Sequence, residues 1–162
     1  MGTGVRKGVS AEQILRAMQK DPRAMRGKAQ VTYYAFAMGG VRLVSMVLTA
    51  AAWQSRLGAG AWVSSALGFF VTVILGILLV QRGSKGIVYL CFFGGVLGLL
   101  IDSFSAFTGA QAHRAISASI IINLILDAAQ VAGSVYLLKS KPAKRFFRGM
   151  QAVALVDRNY RM

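Results

Sequence analysis

The run from Ile116 to Leu138 most restricts how this chain can fold, because it is long enough to cross a bilayer yet carries a carboxylate. Polar residues recur along this run at intervals of three and four, and they are Ser119, Asn123, Asp127, Gln130 and Ser134. In a helix this spacing places all of them on one face. Since a carboxylate near the centre of a bilayer costs at least ~2.5 to 3.5 kcal/mol, we expect this face to point towards other helices or a cavity.

Three other apolar runs of similar length precede this one, and the composition agrees with a membrane protein. Of the 162 residues, 56% are hydrophobic, which exceeds the ~45 to 50% of a typical soluble domain. Each run approaches the ~20 residues that cross ~30 Å of hydrocarbon. The loops are too short to hold a soluble domain. We therefore predict an all-α membrane protein with a four-transmembrane-helix bundle at residues 31–138, with spans near 31–53, 62–80, 87–107 and 116–138.

The flanking segments, 1–30 and 139–162, are basic, and each contains a short amphipathic helical pattern. Ser10 and Gln13 have the spacing of a capping box, and Pro142 suits the start of a helix. Basic amphipathic helices are typical of anionic membrane surfaces. The residues expected to contact lipid are Arg16, Lys20, Lys144, Arg145 and Arg148. The alternatives are a solvated tail for the first segment and docking on a protein partner for the second.

The distribution of charge predicts the orientation of the chain. There are 19 Lys and Arg residues against 5 Asp and Glu, which in a soluble protein would suggest a nucleic-acid partner. Here the basic residues bracket the apolar runs, so we expect no nucleic-acid partner. Sixteen of the 19 fall in the two terminal segments and the middle loop, and only two fall in the other loops. The positive-inside rule then predicts a cell (inner) membrane protein with both termini in the cytoplasm, next to an anionic leaflet.

Three charged residues lie inside the predicted spans, namely Arg42, Asp102 and Asp127. At ~1.5 Å per residue, Arg42 and Asp127 each lie about 16 Å into their spans, so we expect them to meet near the midplane. Asp102 is the alternative partner of Arg42. Asn123 and Gln130 complete the expected polar network. Such a network can fix helix register, carry protons or cations, or bind a lipid headgroup or quinone.

Small residues also recur every four positions in the second and third spans. This pattern is typical of close helix packing in membranes, either within one chain or between copies of it. The positions are Ser64, Gly68, Thr72 and Gly76 in the second span and Gly94 and Gly98 in the third.

No catalytic or metal-binding motif accompanies these features. His113 is the single histidine and Cys91 the single cysteine, so paired-histidine ligation and an intrachain disulfide are excluded. We therefore expect a non-enzymatic protein without cofactor or metal. Its expected role is that of an accessory or assembly subunit that binds other membrane subunits or itself. The alternative is a small proton- or cation-coupled transporter or channel that uses Arg42, Asp102 and Asp127.

Overall fold

The computed structural model describes residues 10–111 and 118–160, and these residues form six helices and no strands. Side chains at 52–57, 61, 64, 109–111 and 159–160 lie outside the description, as do His113 and the first two residues of the predicted span 116–138. The helices are α1 (Ala11–Lys20), α2 (Pro22–Leu57), α3 (Ala59–Arg82), α4 (Lys85–Gln111), α5 (Ala118–Lys139) and α6 (Lys141–Tyr160). Helices α2 to α5 are each long and apolar enough to cross a membrane, which confirms the predicted all-helical chain with four candidate spans.

Helices α1 and α2 begin at capping residues that the sequence makes recognisable. The Ser10 hydroxyl accepts a hydrogen bond from the Gln13 N–H at 3.2 Å, and the Gln13 side chain accepts one from the Ser10 N–H at 3.1 Å, so the capping box is confirmed. At α2, the Asp21 carboxylate accepts from the Arg23 N–H at 2.9 Å, one residue before Pro22. Because nothing breaks the helix after this cap, α2 continues into the first apolar run and reaches 36 residues.

The long helices form two antiparallel hairpins. Gly58 (φ 53°) separates α2 from α3, and Gly83 (φ 55°) ends α3 in the left-handed conformation that glycine adopts without strain. Helix α2 packs along α3, and α4 packs along α5. The hairpins meet mainly through α2 and α5, whereas α3 and α4 make few contacts. A gap is therefore left between α3 and α4.

The buried core lies at one end of the hairpins, where α6 packs across them. Its members come from five helices, and they are Val31, Leu79, Val88, Leu137, Ala143, Phe146 and Phe147. Helix α1 in turn packs on α6, with Met18 against this core. The apolar face of α6 is thus covered by the chain itself, which leaves its basic side chains exposed. Lipid contact by those side chains stays a prediction.

Outside this core, the long helices expose many large apolar side chains. Phe36, Phe93 and Phe104 are each more than 60% exposed, and they lie on α2 and α4. Contiguous apolar surface of this kind is rare on proteins that live in water. The outer surface of α2 to α5 therefore supports a membrane protein.

Candidate functional site

Helices α2 and α5 are joined by a line of polar contacts, which we call the polar seam. Residue 34 contacts residue 134, residue 42 contacts 127 and 130, and residue 45 contacts 123, so the two helices run antiparallel. The seam consists of Gln30, Tyr34, Arg42, Ser45 and Thr49 from α2, Asn123, Asp127, Gln130, Ser134 and Tyr136 from α5, and Ser140 beyond it.

The centre of the seam is an ion pair with an amide beside it. The Nη2 atom of Arg42 lies 3.2 Å from Oδ1 of Asp127 and donates a hydrogen bond to Oε1 of Gln130 at 2.8 Å. The Asp127 side chain is only 5% exposed, against 26% for Arg42. The Gln130 amide then donates to the carbonyl oxygen of Cys91 on α4 at 2.6 Å. Three helices are thus tied together at one level.

Neutral hydrogen bonds continue the seam in both directions. On one side, the Ser45 hydroxyl donates to Oδ1 of Asn123 at 2.9 Å, and the Asn123 amide lies 3.4 Å from the Thr49 hydroxyl. On the other side, Tyr34 and Ser134 share a hydrogen bond of 2.6 Å. Because the Ser134 hydroxyl donates to the Gln130 carbonyl at 2.9 Å, the Tyr34 hydroxyl is the donor to Ser134.

At its last contact the seam reaches the start of α6. The Gln30 amide donates to the Tyr136 hydroxyl at 2.9 Å, and the Ser140 hydroxyl donates to Oε1 of Gln30 at 2.7 Å. Among the described side chains, no buried polar atom lacks a hydrogen-bond partner. The buried polar atoms of the seam are therefore all paired, as a buried polar network must be to avoid a desolvation penalty.

The glycines of α4 give the polar residues of α5 their space. A Cβ atom added at Gly98 would overlap the Asp127 carboxylate, and one added at Gly95 would lie 3.2 Å from Cγ of Gln130. A Cβ atom added at Gly94 would lie 3.6 Å from Nε2 of Gln130, which is an ordinary contact distance. The face that carries Gly94 and Gly98 therefore seats the ion pair and its amide, in addition to bringing two helices together.

The small residues of α3 have more varied surroundings. Gly76 faces Ala35 of α2, with 3.5 Å between an added Cβ and the alanine methyl, which is ordinary packing distance. Gly68 has no atom within 4 Å of such a Cβ, and the Thr72 hydroxyl donates to the Gly68 carbonyl at 3.0 Å. The side chain of Ser64 lies outside the description. The predicted packing role thus fits Gly76, whereas Gly68 borders open space.

That open space is a cleft of about 390 Å³ between α2, α3 and α4, which we call the central cleft. Its polar lining includes Arg42, Ser45, Thr49, Thr72 and Gln130. Its apolar lining includes Met38, Met46, Phe69, Leu75 and Leu90. The cleft combines apolar walls with the cationic centre of the seam, so it can accept an apolar body that carries a hydrogen-bond acceptor.

Asp102 stands apart from the ion pair. It lies one turn beyond Gly98 on α4 and is partly exposed. Among the residues that the structure describes, it forms no salt bridge, and Arg42 acts on it only at longer range. Of the two aspartates that the sequence offers to Arg42, the structure therefore brings Asp127 into contact.

The predicted lipid-contacting residues fall on α1 and α6. Arg16 pairs with Glu12 along α1, and Lys20 is exposed. On α6, Lys144 and Arg148 are exposed, and Arg145 pairs with Asp21 at 2.6 Å. Partial desolvation raises the pKa of Asp21, but the Arg23 N–H and the Arg145 charge outweigh it and hold the pKa below its usual value.

Sequence reasoning missed the α2 half of the seam. Gln30, Tyr34, Ser45 and Thr49 lie on one helical face with Arg42, since they are spaced by multiples close to the helical repeat. That spacing is the same signal that revealed the stripe on α5. On α2 this spacing is a weaker signal, because hydroxyl residues are common in membrane helices, whereas an arginine there is rare.

In its described residues the chain thus has four helices that are long and apolar enough to cross a membrane, a polar seam between two of them, and an open central cleft. Compared with protein-family models, curated proteins and solved structures, it matches none of them. No group of three or more His, Cys, Asp or Glu residues is placed to hold a metal ion in the described part of the chain. The features of the chain that bear on its function are the polar seam, the central cleft and the distribution of charge.

Proposed function

We propose that this chain is a non-enzymatic, multi-pass protein of a cell (inner) membrane that acts as an accessory or assembly subunit of a larger membrane complex. The observation that carries the proposal is the central cleft, which remains between α3 and α4 although the buried polar atoms of the seam beside it are all paired. In this proposal a transmembrane helix of another subunit occupies the cleft.

Unused hydrogen-bond donors of Arg42 support a protein occupant. A guanidinium has five N–H donors, and the contacts with Asp127 and Gln130 both use Nη2. Arg42 lines the cleft and its side chain is 26% exposed, so the remaining N–H groups of its guanidinium can face that space. Lipid tails cannot accept their hydrogen bonds. A partner helix with a carboxylate, amide or hydroxyl group at this depth can do so, and its association would be favourable in hydrocarbon.

Site-specific photo-crosslinking tests this proposal in the native membrane. A Cβ atom added at Gly68 has no atom within 4 Å, so this position can start a crosslinking side chain in the cleft. We expect it to capture one discrete membrane chain that also co-purifies in mild detergent. The matched control is Phe93, which is 63% exposed on α4 and outside the cleft. Crosslinks from Gly68 to lipid alone, with a protein that purifies without other chains, would contradict the subunit role.

The proposed orientation places both termini in the cytoplasm, and the 16-to-2 distribution of basic residues supports it. Cysteines introduced at Gly58 and Ala110, in a background that lacks Cys91, should react with an impermeant reagent from outside the cell. Cysteines at Ser84 and Ala152 should react only after the membrane is opened. Labelling of position 84 from outside would refute four spans with this orientation.

A small proton- or cation-coupled transporter or channel is the second candidate, and Asp102 favours it. This carboxyl forms no salt bridge in the described part of the chain, and it lies one turn from the Gly98–Asp127 contact. A transporter should run as a homo-oligomer and should move protons across proteoliposome membranes under an imposed gradient. If Asp102→Asn abolishes that flux while the protein stays folded, transport replaces the subunit role.

A further inference from the structure

We propose that a basic cleft between the N-terminal parts of α2 and α6 is a binding site for phosphate groups, with the headgroups of anionic phospholipids as the favoured source. The cleft encloses about 690 Å³. Its lining contains one proline and six cationic residues, namely Arg23, Arg26, Lys141, Pro142, Lys144, Arg145 and Arg148.

Most of the positive charge of the basic cleft has no negative partner in the part of the chain that the structure describes. Among the described residues, only Arg145 has a carboxylate partner, Asp21, at 2.6 Å. The other five cations face one space without a counter-charge. Like charges held this close repel one another, so an anion that enters the cleft gains energy from all of them. Four of the six are arginines, whose planar guanidinium groups bind phosphate oxygens in a bidentate manner.

The fold holds the two sides of this cleft together. A Cβ atom at Gly27 would overlap the carbonyl of Pro142, so the glycine allows the first turn of α6 to lie directly against α2. The Asp21–Arg145 salt bridge adds a second connection. Ser140 adds a third through its hydrogen bond to Gln30 at 2.7 Å. The cations are therefore gathered by one backbone contact and two side-chain contacts, which distinguishes the cleft from a loose basic tail.

The depth of the cleft favours lipid as the source of phosphate. Arg26 precedes Val31, where the apolar run of α2 begins, by five residues, or about 7.5 Å of helix. Lys141 follows the end of α5 by two residues. Each headgroup layer is roughly 5 to 7 Å thick, so both sides of the cleft lie at the level of lipid phosphates. Helices α2 and α6 also both begin here, which adds the positive ends of two helix dipoles.

The test compares phosphate binding by the full-length wild type and two variants with equal loss of charge. The cleft variant is Arg26→Gln/Lys144→Gln/Arg148→Gln, which spares Arg145 and its salt bridge. The control variant removes three basic residues outside the cleft, Arg82→Gln/Lys85→Gln/Arg158→Gln. Native mass spectrometry follows binding of phosphatidylglycerol, with phosphatidylcholine as the neutral lipid. Calorimetry follows binding of inorganic pyrophosphate, which represents a soluble source.

We expect the cleft variant to bind phosphatidylglycerol roughly a hundredfold more weakly than the wild type, because it loses the charge-assisted hydrogen bonds that three converging side chains can make to one phosphate. The control variant should stay within about threefold of the wild type if the site is confined to the cleft. Loss of pyrophosphate binding in the cleft variant alone, with lipid binding unchanged, would support the site with a soluble phosphate as its ligand. Equal weakening in both variants, or no weakening in the cleft variant, would overturn the proposal.

A charge-conserving variant keeps the test decisive should the triple variant fail to fold. Arg26→Lys/Arg148→Lys retains every positive charge but removes two guanidinium forks. A built phosphate site predicts a clear loss of phosphatidylglycerol affinity in this variant. Unchanged affinity would overturn the proposal, because only non-specific attraction depends on charge alone.

Discussion

The Arg42–Asp127 pair offers the most informative perturbation, because its two members are buried to different extents. Arg42→Gln leaves the Asp127 carboxylate, which is 5% exposed, without its cation. Removing one member of a buried pair commonly costs ~3 to 5 kcal/mol. The same change also removes the hydrogen bond from Arg42 to Gln130, and a bond to a charged group contributes ~1.5 to 3 kcal/mol. We therefore expect Arg42→Gln to lower the free energy of unfolding by about 5 kcal/mol, the upper end of the range for a broken buried pair.

Asp127→Asn should be less harmful than Arg42→Gln. Arg42 is 26% exposed to the central cleft and keeps its hydrogen bond to Gln130 in this variant. We expect a loss of about 1 to 3 kcal/mol. In the double variant no charge is left unpaired, so its stability should return to within about 1 kcal/mol of the wild type.

Thermal or denaturant unfolding of the purified protein in detergent measures the stability of the two single variants and of the double variant. The double-mutant cycle then gives the coupling energy between Arg42 and Asp127. Additive single effects would refute the claim that the two residues act as one unit. Asp102→Asn is the matched control, since this residue has no salt bridge within the described chain. If Asp102→Asn destabilises the protein more than Asp127→Asn does, Asp102 is the main partner of Arg42. A double variant that folds but loses a measured transport activity would favour Asp127 as a proton carrier, because Asn cannot titrate.

Two further predictions follow from the glycine contacts and the exposed salt bridge. Gly98→Ala should destabilise the protein by about 1 to 3 kcal/mol, since the methyl group would displace the Asp127 carboxylate, whereas Gly68→Ala should be neutral or slightly stabilising in the same unfolding assay. The pKa of Asp21 in the folded protein lies below its usual 3.8, so the stabilisation from its pairing is complete above about pH 4 and is lost as the pH falls through the lower folded value. Asp21→Asn should remove that acid dependence, and an unchanged acid transition would show that the Asp21–Arg145 contact contributes nothing.

Much of the fold can be predicted from the sequence, because apolar length and polar spacing are local properties. The stripe of Asn123, Asp127 and Gln130 lies where helical periodicity predicts, and the depth of Arg42 within its run already suggests Asp127 as its partner. The start of α2 is also readable, from Asp21 and the proline after it.

The central cleft and the basic cleft could not be predicted in this way, because both depend on how distant segments pack. No local pattern in the sequence indicates that α3 and α4 make few contacts with each other. Similarly, Arg26 and Arg148 lie in two separate terminal segments of the sequence, and tertiary contacts such as that between Gly27 and Pro142 bring them to one site. The apolar face of α6 predicts burial, but its partner is the end of the helical hairpins, with Phe147 fully buried there.

The seam also dictates an order of events during biogenesis. Arg42 and Gln130 are separated by 88 positions, so α2 leaves the ribosome long before its polar partners are made. An unpaired arginine in mid-span costs about 2.5 to 3.5 kcal/mol at the translocon, and α2 is the least apolar of the four candidate spans. We therefore expect α2, the first candidate span, to be only weakly retained in the membrane until α5, the fourth, has been inserted. Nascent chains that stop before α5 should therefore be extracted and degraded, and we expect α5 to act as the checkpoint for retention of α2.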